Sequence, residues 1–407
     1  MYDMSGFDYD IRDVVRILNL RIRRKNSRSY DVDCPFCGHK VGKMNVNIEK
    51  NVFRCNYCDE QGGMLDLYAK LYNLTKAEAN AQIREALHLG QYRDEYVKPA
   101  KPAEPVMVEN SELAAPETID HTYRMMLSKL SLSGKHLEDL KKRGLTVEQI
   151  EEQSYRSVPV FGIKSLVRQL TLQGCTVQGV PGFYLDEDGE WNLNFSEKHS
   201  GILIPILSVE GLIQGFQIRL DHVIKDCKYI WFSSVNKQQG VTSGSPVHVI
   251  GRLNSDTVYV TEGALKGTIA HYFSGKTFVC VAGVNLYRNL GPVLEELKTK
   301  NLKFVYEAYD MDKKMKTDCN RHYSKCAECR ETDVSNGCPY KILKRKNIQN
   351  GCQKLYEICE KLALPVQRML WDTDEQGDWN GEIKGIDDLY YKMKNGKHSD
   401  TVIQRGV

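Results

Sequence analysis

Two Cys-x2-Cys pairs near the N-terminus restrict the fold of this chain more than any other feature. Cys34 and Cys37 form the first pair, Cys55 and Cys58 form the second, and seventeen residues separate the pairs. The segment that leads into the second pair, KMNVNIEKNVFRC, alternates apolar and polar residues before a polar turn and predicts a β-hairpin. Two such pairs can bring four thiolates to tetrahedral distance around one Zn²⁺. We therefore expect a zinc ribbon with these cysteines as ligands.

The alternative for these cysteines is a set of buried or disulfide-bonded thiols. The chain has thirteen cysteines, and its first residues, MYDMSGFDYD, lack the basic and apolar regions of a signal peptide. No apolar run approaches the ~18 residues that span a membrane. These features predict a cytoplasmic protein with no membrane partner, in which cysteines stay reduced and available for metal. His39 follows the first pair, but four sulfurs already complete the ligand set.

Composition and periodicity divide the 407 residues into several parts. Residues 1–90 contain the cysteine pairs, and the Pro-rich residues 91–118 predict an extended linker. Residues 119–250 begin with helical patterns and continue with two apolar runs around a Glu-Gly turn, which predict a strand pair. Residues 251–395 alternate strand and helix patterns, as in a parallel sheet. The expected fold class is a multidomain α/β protein.

Carboxylates at the ends of two predicted strands indicate a metal-dependent site. Glu262 ends the strand of VYVTEG, and the run FVYEAYDMD ends in Asp310 and Asp312. Residues i and i+2 of an extended chain face the same side, so two carboxylates there repel unless a cation lies between them. Because the carboxyl ends of parallel strands meet at one edge of a sheet, we expect these three residues to hold Mg²⁺ or Mn²⁺. Taken singly, each pattern also occurs in ordinary turns.

The order of features between residues 10 and 70 carries a family resemblance. A leading helix, a basic stretch, the letters CPF at the first pair, the hairpin, and a Gly-containing turn into a helix follow one another. In this order they resemble the zinc-binding domain of bacterial-type, DnaG-like primases. That family commonly carries His as its second ligand, where this chain has Cys37. The Glu-Gly and Asp-x-Asp patterns, with the later KGIDDL, resemble the Toprim domain of such primases, a Rossmann-like parallel sheet.

The resemblance extends to basic residues in both halves of the chain. The segments ILIPILSVEGLIQGFQIRLD and KYIWFSS are similar to the basic N-terminal subdomain of the primase core. The resemblance implies that nucleic acid or nucleotide is bound by a set of basic residues, namely Arg21, Arg23, Arg24, Arg219, Lys228 and Lys266. A single basic residue is more often a solvated surface charge. Lys266 stands where primases usually have Asp, so either the metals are arranged differently or the activity is altered. The simpler alternative is that Lys266 faces solvent on its helix.

The resemblance implies a DNA primase, a nucleotidyltransferase that makes short RNA primers on single-stranded DNA from nucleoside triphosphates. Glu262, Asp310 and Asp312 would be its catalytic residues. A replicative helicase would be its partner in trans. The alternatives are a Toprim-family nuclease, in which the same carboxylates activate water, and a non-catalytic primase-like module that binds single-stranded DNA. Since the chain ends soon after the Toprim-like region, we expect a compact primase of the kind found in mobile elements.

A second cysteine cluster interrupts the Toprim-like region between residues 313 and 343. Its pattern, C-x6-C-x2-C-x8-C, consists of Cys319, Cys326, Cys329 and Cys338, with His322 nearby. The pattern predicts a second zinc site, although its irregular spacing leaves an iron–sulfur site or unliganded thiols as alternatives. The insertion is locally basic and follows the carboxylates, which suggests a lid or a nucleic-acid contact.

Overall fold

The computed structural model describes residues 9–72, 74–87, 109–195, 199–224, 227–235, 237–321, 326, 329, 334–396 and 404–406. Most of the predicted linker, residues 91–108, lies outside these ranges. Contacts divide the chain into two units, the first comprising Met1–Leu113, Val177–Asn194 and Ser233–Gly244. The second comprises Ala114–Thr176, Phe195–Phe232 and Ser245–Val407. The finer division made from the sequence stays a prediction.

The helices of the described residues alternate with strands along the chain. The helices are α1 (Ile11–Ile17), α2 (Met64–Tyr72), α3 (Lys76–Ala86), α4 (Pro116–Ser128), α5 (Gly134–Lys142), α6 (Val147–Glu152), α7 (Ile163–Leu172), α8 (Ala264–Ser274), α9 (Leu290–Thr299), α10 (Pro339–Lys361) and α11 (Ile386–Lys394). None of these described helices is both long enough and apolar enough to cross a membrane.

The strands fall into three sheets and a separate hairpin. They are β1 (Ile22–Lys25), β2 (Ser29–Val32), β3 (Met44–Asn47), β4 (Val52–Cys55), β5 (Gln61–Gly63), β6 (Arg156–Ser157), β7 (Phe183–Leu185), β8 (Trp191–Leu193), β9 (Gly201–Leu207), β10 (Ile213–Ile224), β11 (Cys227–Trp231), β12 (His248–Ile250), β13 (Thr257–Glu262), β14 (Phe278–Val281), β15 (Phe304–Glu307), β16 (Val366–Leu370) and β17 (Gln404–Gly406). The hairpin pairs β7 with β8.

The N-terminal sheet contains the predicted hairpin and extends it on both sides. Strands β1 to β5 pair in sequence order, and the hairpin of β3 and β4 aligns Met44 with Cys55. Met44 and Val46 alternate with polar residues and are fully buried, as their period of two predicts. Helix α1 begins at a capping box in which Asp10 and Asp13 satisfy backbone N–H groups. The sheet and helices α1 to α3 share one hydrophobic core around the cysteine pairs.

The antiparallel sheet of the second unit has the order β11-β10-β9-β6. Strands β9 and β10 form the predicted pair, and Gly211 in the turn between them has φ +79°, a conformation that favours glycine. The buried Ile202, Ile204 and Ile206 of β9 pack in a core that also contains residues of α8. The sheet is thereby attached to the helix that follows Glu262.

A six-stranded sheet with the order β12-β14-β13-β15-β16-β17 forms the centre of the second unit. Its four central strands are parallel, and the strands at its two edges run antiparallel to them. Val258, Val260, Val279 and Val281 are at most 1% exposed, as expected for strands covered on both faces. The predicted multidomain α/β fold with a zinc ribbon and a parallel sheet is therefore confirmed.

Candidate metal centres and active site

The four cysteines of the N-terminal pairs converge in the structure. The Sγ atoms of Cys34 and Cys58 lie 3.8 Å apart, and those of Cys37 and Cys55 lie 3.9 Å apart. A tetrahedral zinc ion with Zn–S bonds of about 2.3 Å requires sulfurs about 3.8 Å apart, so the donor set fits Zn²⁺. The pairs meet because β3 and β4 carry Cys55 back beside the loop of Cys34 and Cys37.

His39 lies beside this centre without being needed as a ligand. Its ring is 4.4 Å from the ring of Tyr57, and its carbonyl oxygen accepts a hydrogen bond from the backbone N–H of Cys34. All four sulfurs already belong to one group whose ligand atoms lie within 4.8 Å of one another. The structure thus places His39 in the loop that holds the first pair.

The predicted basic residues of the ribbon lie on or next to its edge strand. Every residue of β1 is exposed, including Arg23 and Arg24, and Arg21 immediately before it is exposed too. The guanidinium of Arg23 donates two hydrogen bonds of 2.8 Å to the carboxylate of Asp33. Arg21 and Arg24 therefore remain better placed than Arg23 to contact phosphates.

Three carboxylates meet at the carboxyl edge of the parallel sheet. Glu262 is the last residue of β13, and Asp310 and Asp312 follow β15. One carboxylate oxygen of each lies within 4.8 Å of the others, and both aspartates are buried. Gly263, with φ +85°, turns the chain sharply into α8 and leaves the Glu262 side chain at the strand end. The structure thus brings together the three residues predicted for a magnesium site.

Three lysines from separate elements surround these carboxylates. Lys266 of α8 donates to Asp310, and its side chain is only 20% exposed, so it faces the carboxylates and not the solvent. The Nζ of Lys344 in α10 lies 2.8 Å from Asp312. The Nζ of Lys384 lies 3.0 Å from Asp312 and 3.4 Å from Asp310. Sequence reasoning missed Lys344 and Lys384, although Lys384 opens the KGIDDL segment.

Burial and the neighbouring charges shift the pKa values of the carboxyl groups in this cluster in different directions. Burial, reinforced by Asp310, raises the pKa of Glu262 to about 7. Burial also raises the pKa of Asp312, but Lys344 and Lys384 outweigh it, so that this pKa is lowered. Asp387 of α11 lies close to Lys266, and burial raises its pKa to about 6 against the opposing effect of Lys266. The site therefore contains carboxyl groups that titrate near neutrality beside one that stays ionised.

The donor set fits a divalent cation that prefers oxygen ligands. The Oδ1 atoms of Asp312 and Asp387 are buried and accept no hydrogen bond from any described residue. Buried acceptors are normally satisfied, so a vacant carboxylate oxygen here is available to a cation. Mg²⁺ binds through one or two protein carboxylates and completes its shell with water and phosphate oxygens. The lysines contact both carboxylate oxygens of Asp310 and Oδ2 of Asp312, and there they would compete with such an ion.

A basic cluster lies on the antiparallel sheet and on α5. Arg219 of β10 is largely buried, and its Nη1 lies 2.5 Å from Oδ2 of Asp139. Arg143 also reaches Asp139, at 3.9 Å. Lys228 of β11 is an exposed residue. Its pKa is lowered by the partial loss of solvent around its ammonium group and, to a smaller extent, by the charges of Arg219 and Arg143. The structure thus brings the predicted Arg219 and Lys228 together and adds Arg143, which the sequence analysis missed.

The cysteines of the insertion converge less tightly than those of the ribbon. Cys319, Cys326, Cys329 and Cys338 line one cavity of about 300 Å³. His322 lies outside the described residues. Lys313, at the start of the insertion, is buried rather than available to a nucleic acid.

Comparison with known proteins places these observations in a family context. Residues 7–98 match the CHC2 zinc finger family. A DNA primase of Listeria innocua is 26% identical over 219 residues, which are 51% of this chain and 34% of that primase. A DNA primase of Clostridium acetobutylicum is 21% identical over 315 residues, which are 74% of this chain and 49% of that primase. This chain thus spans between a third and a half of the length of these curated relatives.

Among solved structures, the crystal structure of the zinc-binding and RNA polymerase domains of the Aquifex aeolicus primase is similar to this chain. The sequence identity is 16% and the TM-score 0.45, with 96% of this chain and 81% of that chain covered. The family match and the curated relatives confirm the resemblance stated from the sequence. The chain is similar to DnaG-like DNA primases and carries, within residues 7–98, their CHC2-type zinc ribbon.

Proposed function

We propose that this chain is a DNA primase that synthesises short RNA primers on single-stranded DNA by metal-dependent nucleotidyl transfer. The observation that carries the proposal is the convergence of Glu262, Asp310 and Asp312 at the carboxyl edge of a parallel sheet. Ligands of such sheets bind at this edge. The similarity of the chain to DNA primases supports the same reaction. We assign the sheet to the Toprim type on these grounds.

The three carboxylates would hold Mg²⁺ or Mn²⁺, and the orphaned Oδ1 of Asp312 supports this assignment. When bound, the ion would lower the pKa of the attacking hydroxyl and neutralise charge on the α-phosphate of the incoming nucleotide. Asp310 would exchange its contacts with Lys266 and Lys384 for the ion. The ammonium group of Lys266 would then be available to phosphate oxygens of the nucleoside triphosphate, while Lys384 would keep its contact with Asp312.

The basic residues provide a path for the template strand. Arg219, Lys228 and Arg143 form one group of cations on the second unit, in which Asp139 fixes the orientation of Arg219. Arg21 and Arg24 would bind phosphates on the exposed edge of the ribbon. Cations placed in this way bind a nucleic-acid backbone without reading its sequence. We include a replicative helicase, acting in trans, as a partner in this proposal.

A non-catalytic module that binds single-stranded DNA is the second candidate, because the lysines favour it. Lys266 contacts Asp310, and Lys344 and Lys384 contact Asp312, so these ammonium groups already offset the charge of the two aspartates. A site whose charges are already balanced has a smaller electrostatic drive to bind Mg²⁺. In that function, the same basic residues would bind DNA and the carboxylates would only stabilise the fold.

Primer synthesis on single-stranded DNA with labelled nucleoside triphosphates and Mg²⁺ or Mn²⁺ tests the proposal. We expect short products from the wild-type chain and their loss in Asp310→Asn, with DNA binding by fluorescence anisotropy retained. Asp256→Asn is the matched control, since Asp256 is exposed at the start of β13, away from the carboxyl edge. Intact DNA binding without products under either metal would favour the binding module. Degradation of the template would instead identify a nuclease.

A further inference from the structure

Four cysteines of the insertion form a cluster that the proposed polymerase reaction does not use. They line one cavity of about 300 Å³, whose wall consists of Cys319, Arg321, Cys326, Cys329, Val334, Cys338 and Tyr340. All four are free thiols, with no disulfide among them. Residues separated by up to nineteen positions in the sequence thus share one enclosed space.

The backbone around the cavity holds its two ends together. The N–H of Cys338 donates to the carbonyl oxygen of Thr317 at 2.6 Å, which brings residue 338 beside the segment of Cys319. Gly337 has φ +96°, and a Cβ there would lie 2.9 Å from the same Thr317 oxygen, so glycine permits this close approach. The N–H of Cys329 donates to the oxygen of Cys326 at 3.2 Å, which closes a tight turn between these two cysteines.

We propose that Cys319, Cys326, Cys329 and Cys338 bind a second zinc ion. Four cysteines, two of them in a Cys-x2-Cys turn, supply the complete tetrahedral ligand set of a structural zinc site. Cys338 is the N-cap of the 23-residue helix α10, and the positive end of a helix dipole stabilises a thiolate. The guanidinium of Arg321 lines the same cavity and offsets part of the negative charge of a four-thiolate zinc site.

Four sulfurs bound to one zinc ion lie closer together than these four sulfurs do in the structure. Among the described residues, three or more ligand atoms come within 4.8 Å of one another only in the ribbon and in the Glu262 cluster. Sulfurs bound to one zinc ion lie about 3.8 Å apart. One zinc ion bound by all four sulfurs would therefore hold Cys319, Cys326 and Cys329 close to Cys338 at the start of α10.

The same helix connects the cysteine cluster to the carboxylates. Lys344 lies six residues after Cys338, about 9 Å along the helix axis, and its ammonium contacts Asp312. One residue further, Arg345 donates to the carbonyl oxygen of Met315 at 3.1 Å. The second zinc ion is thus a structural ion that anchors the end of α10 nearest to Asp312. This role is independent of whether the chain polymerises nucleotides.

The zinc content of the full chain, purified under reducing conditions and measured by plasma mass spectrometry, tests the inference. We expect two zinc ions per chain in the wild type and one in Cys326→Ser/Cys329→Ser. The control Cys227→Ser, which alters an exposed cysteine outside both clusters, should retain two. One zinc ion in the wild type, unchanged in the double variant, would overturn the proposal. Bound iron with inorganic sulfide would overturn it in favour of an iron–sulfur cluster.

Alkylation of the wild-type chain keeps the proposal testable if the double variant fails to fold. Zinc-bound thiolates react slowly with iodoacetamide, and peptide mass mapping reports each cysteine separately. We expect Cys319, Cys326, Cys329 and Cys338 to be protected until a chelator is added, while the exposed Cys227 reacts at once. Equal labelling of these four residues with and without the chelator would contradict a bound ion.

Discussion

Lys313 and Glu307 form an ion pair inside the second unit, with 2.6 Å between Nζ and Oε1. Both side chains are almost completely buried, at 2% and 0% exposed. The ammonium also donates to the carbonyl oxygen of Tyr309, while Tyr356 and Arg368 donate to Oε2 of Glu307. This network ties the end of β15 to the turn that carries Asp310 and Asp312, and so determines where these two carboxylates lie.

The first prediction follows from this pair. Lys313→Met should lower the free energy of unfolding by about 3 kcal/mol, because it leaves Oε1 of the buried Glu307 carboxylate without its cation while Arg368 contacts the other oxygen. Lys316→Met is the control: Lys316 is half exposed, its ion pair with Asp374 is solvated, and we expect a much smaller loss. Urea unfolding followed by tryptophan fluorescence compares the two. Equal losses would show that the buried pair contributes no more than the exposed one.

The second prediction concerns Lys266. Lys266→Met should lower the dissociation constant for Mn²⁺ by about tenfold or more, because it removes the ammonium group that contacts Asp310. A tenfold change corresponds to about 1.4 kcal/mol of binding free energy. Since the pKa of Glu262 is raised to about 7, the affinity of the wild type should also rise between pH 6 and pH 8 as this carboxyl loses its proton. Calorimetric titration measures both effects. Lys303→Met, which changes an exposed lysine before β15, should bind as the wild type does.

The third prediction concerns the second ligand of the ribbon. Cys37→His should retain one zinc ion at this site, because an imidazole nitrogen can replace the thiolate in a tetrahedral site. Cys37→Ala should weaken zinc binding, since the shell then lacks a ligand and the core that surrounds it loses support. Competition with a coloured chelator measures both affinities. Identical affinities in the two variants would mean that Cys37 is not a ligand.

The fourth prediction is a pH dependence of stability that originates at His248. The ring is 1% exposed, its Nδ1 accepts a hydrogen bond from the N–H of Leu207 at 3.0 Å, and burial lowers its pKa from 6.5 to about 3. Below pH 6.5 the unfolded chain binds a proton that the folded chain excludes, so stability falls as the pH falls towards 3. Between pH 7 and pH 5 this histidine should account for a loss of about 2 kcal/mol.

The matched variant for this test is His248→Gln, which keeps a side chain with hydrogen-bonding groups but has nothing to titrate. Its free energy of unfolding should depend less steeply on pH than that of the wild type over the same interval. If the free energies of unfolding of the two proteins depended equally on pH, the ring would bind its proton as readily in the folded chain as in the unfolded chain.

The fifth prediction concerns the basic cluster. Arg219→Ala should weaken the binding of single-stranded DNA and reduce the slope of log affinity against log salt by about one, as expected when one phosphate contact is lost. Arg124→Ala, which removes an exposed guanidinium paired with Asp120 on α4, is the control and should leave the slope unchanged. Fluorescence anisotropy at several salt concentrations provides the slopes. The same slope for both variants would exclude Arg219 from the path of the DNA.

The sequence predicted those parts of the fold and the site that depend on local patterns. The cysteine pairs and the alternation of Met44 and Val46 each lie within a short segment. The capping box of Thr75 and Glu78, which begins α3, is likewise visible in the four letters TKAE. Glu262 and Asp310 could be placed together because both follow strands of one parallel sheet. Such signals need only the period of an element and the topology of the sheet.

The charges that complete the site could not be predicted in this way. Lys344 and Lys384 reach Asp312 from residues 32 and 72 positions further along the chain, through packing that no local pattern encodes. Asp139, on a helix well before β10, orients Arg219 in the same manner. The burial of Lys313 could not be predicted from its run of basic residues, because its partner, Glu307, is the last residue of the apolar strand β15.

The three lysines also decide how many cations the carboxylates can accept. Once Glu262, Asp310, Asp312 and Asp387 have all lost their protons, which requires a pH above the pKa of about 7 of Glu262, these carboxylates and the ammonium groups of Lys266, Lys344 and Lys384 give a local charge of −1. One divalent ion changes this charge to +1. With aspartate in place of Lys266 the charge would be −3, and two ions would be needed to reach the same value. Electroneutrality at this edge of the sheet thus makes residue 266 the position that determines whether the site accepts one ion or two.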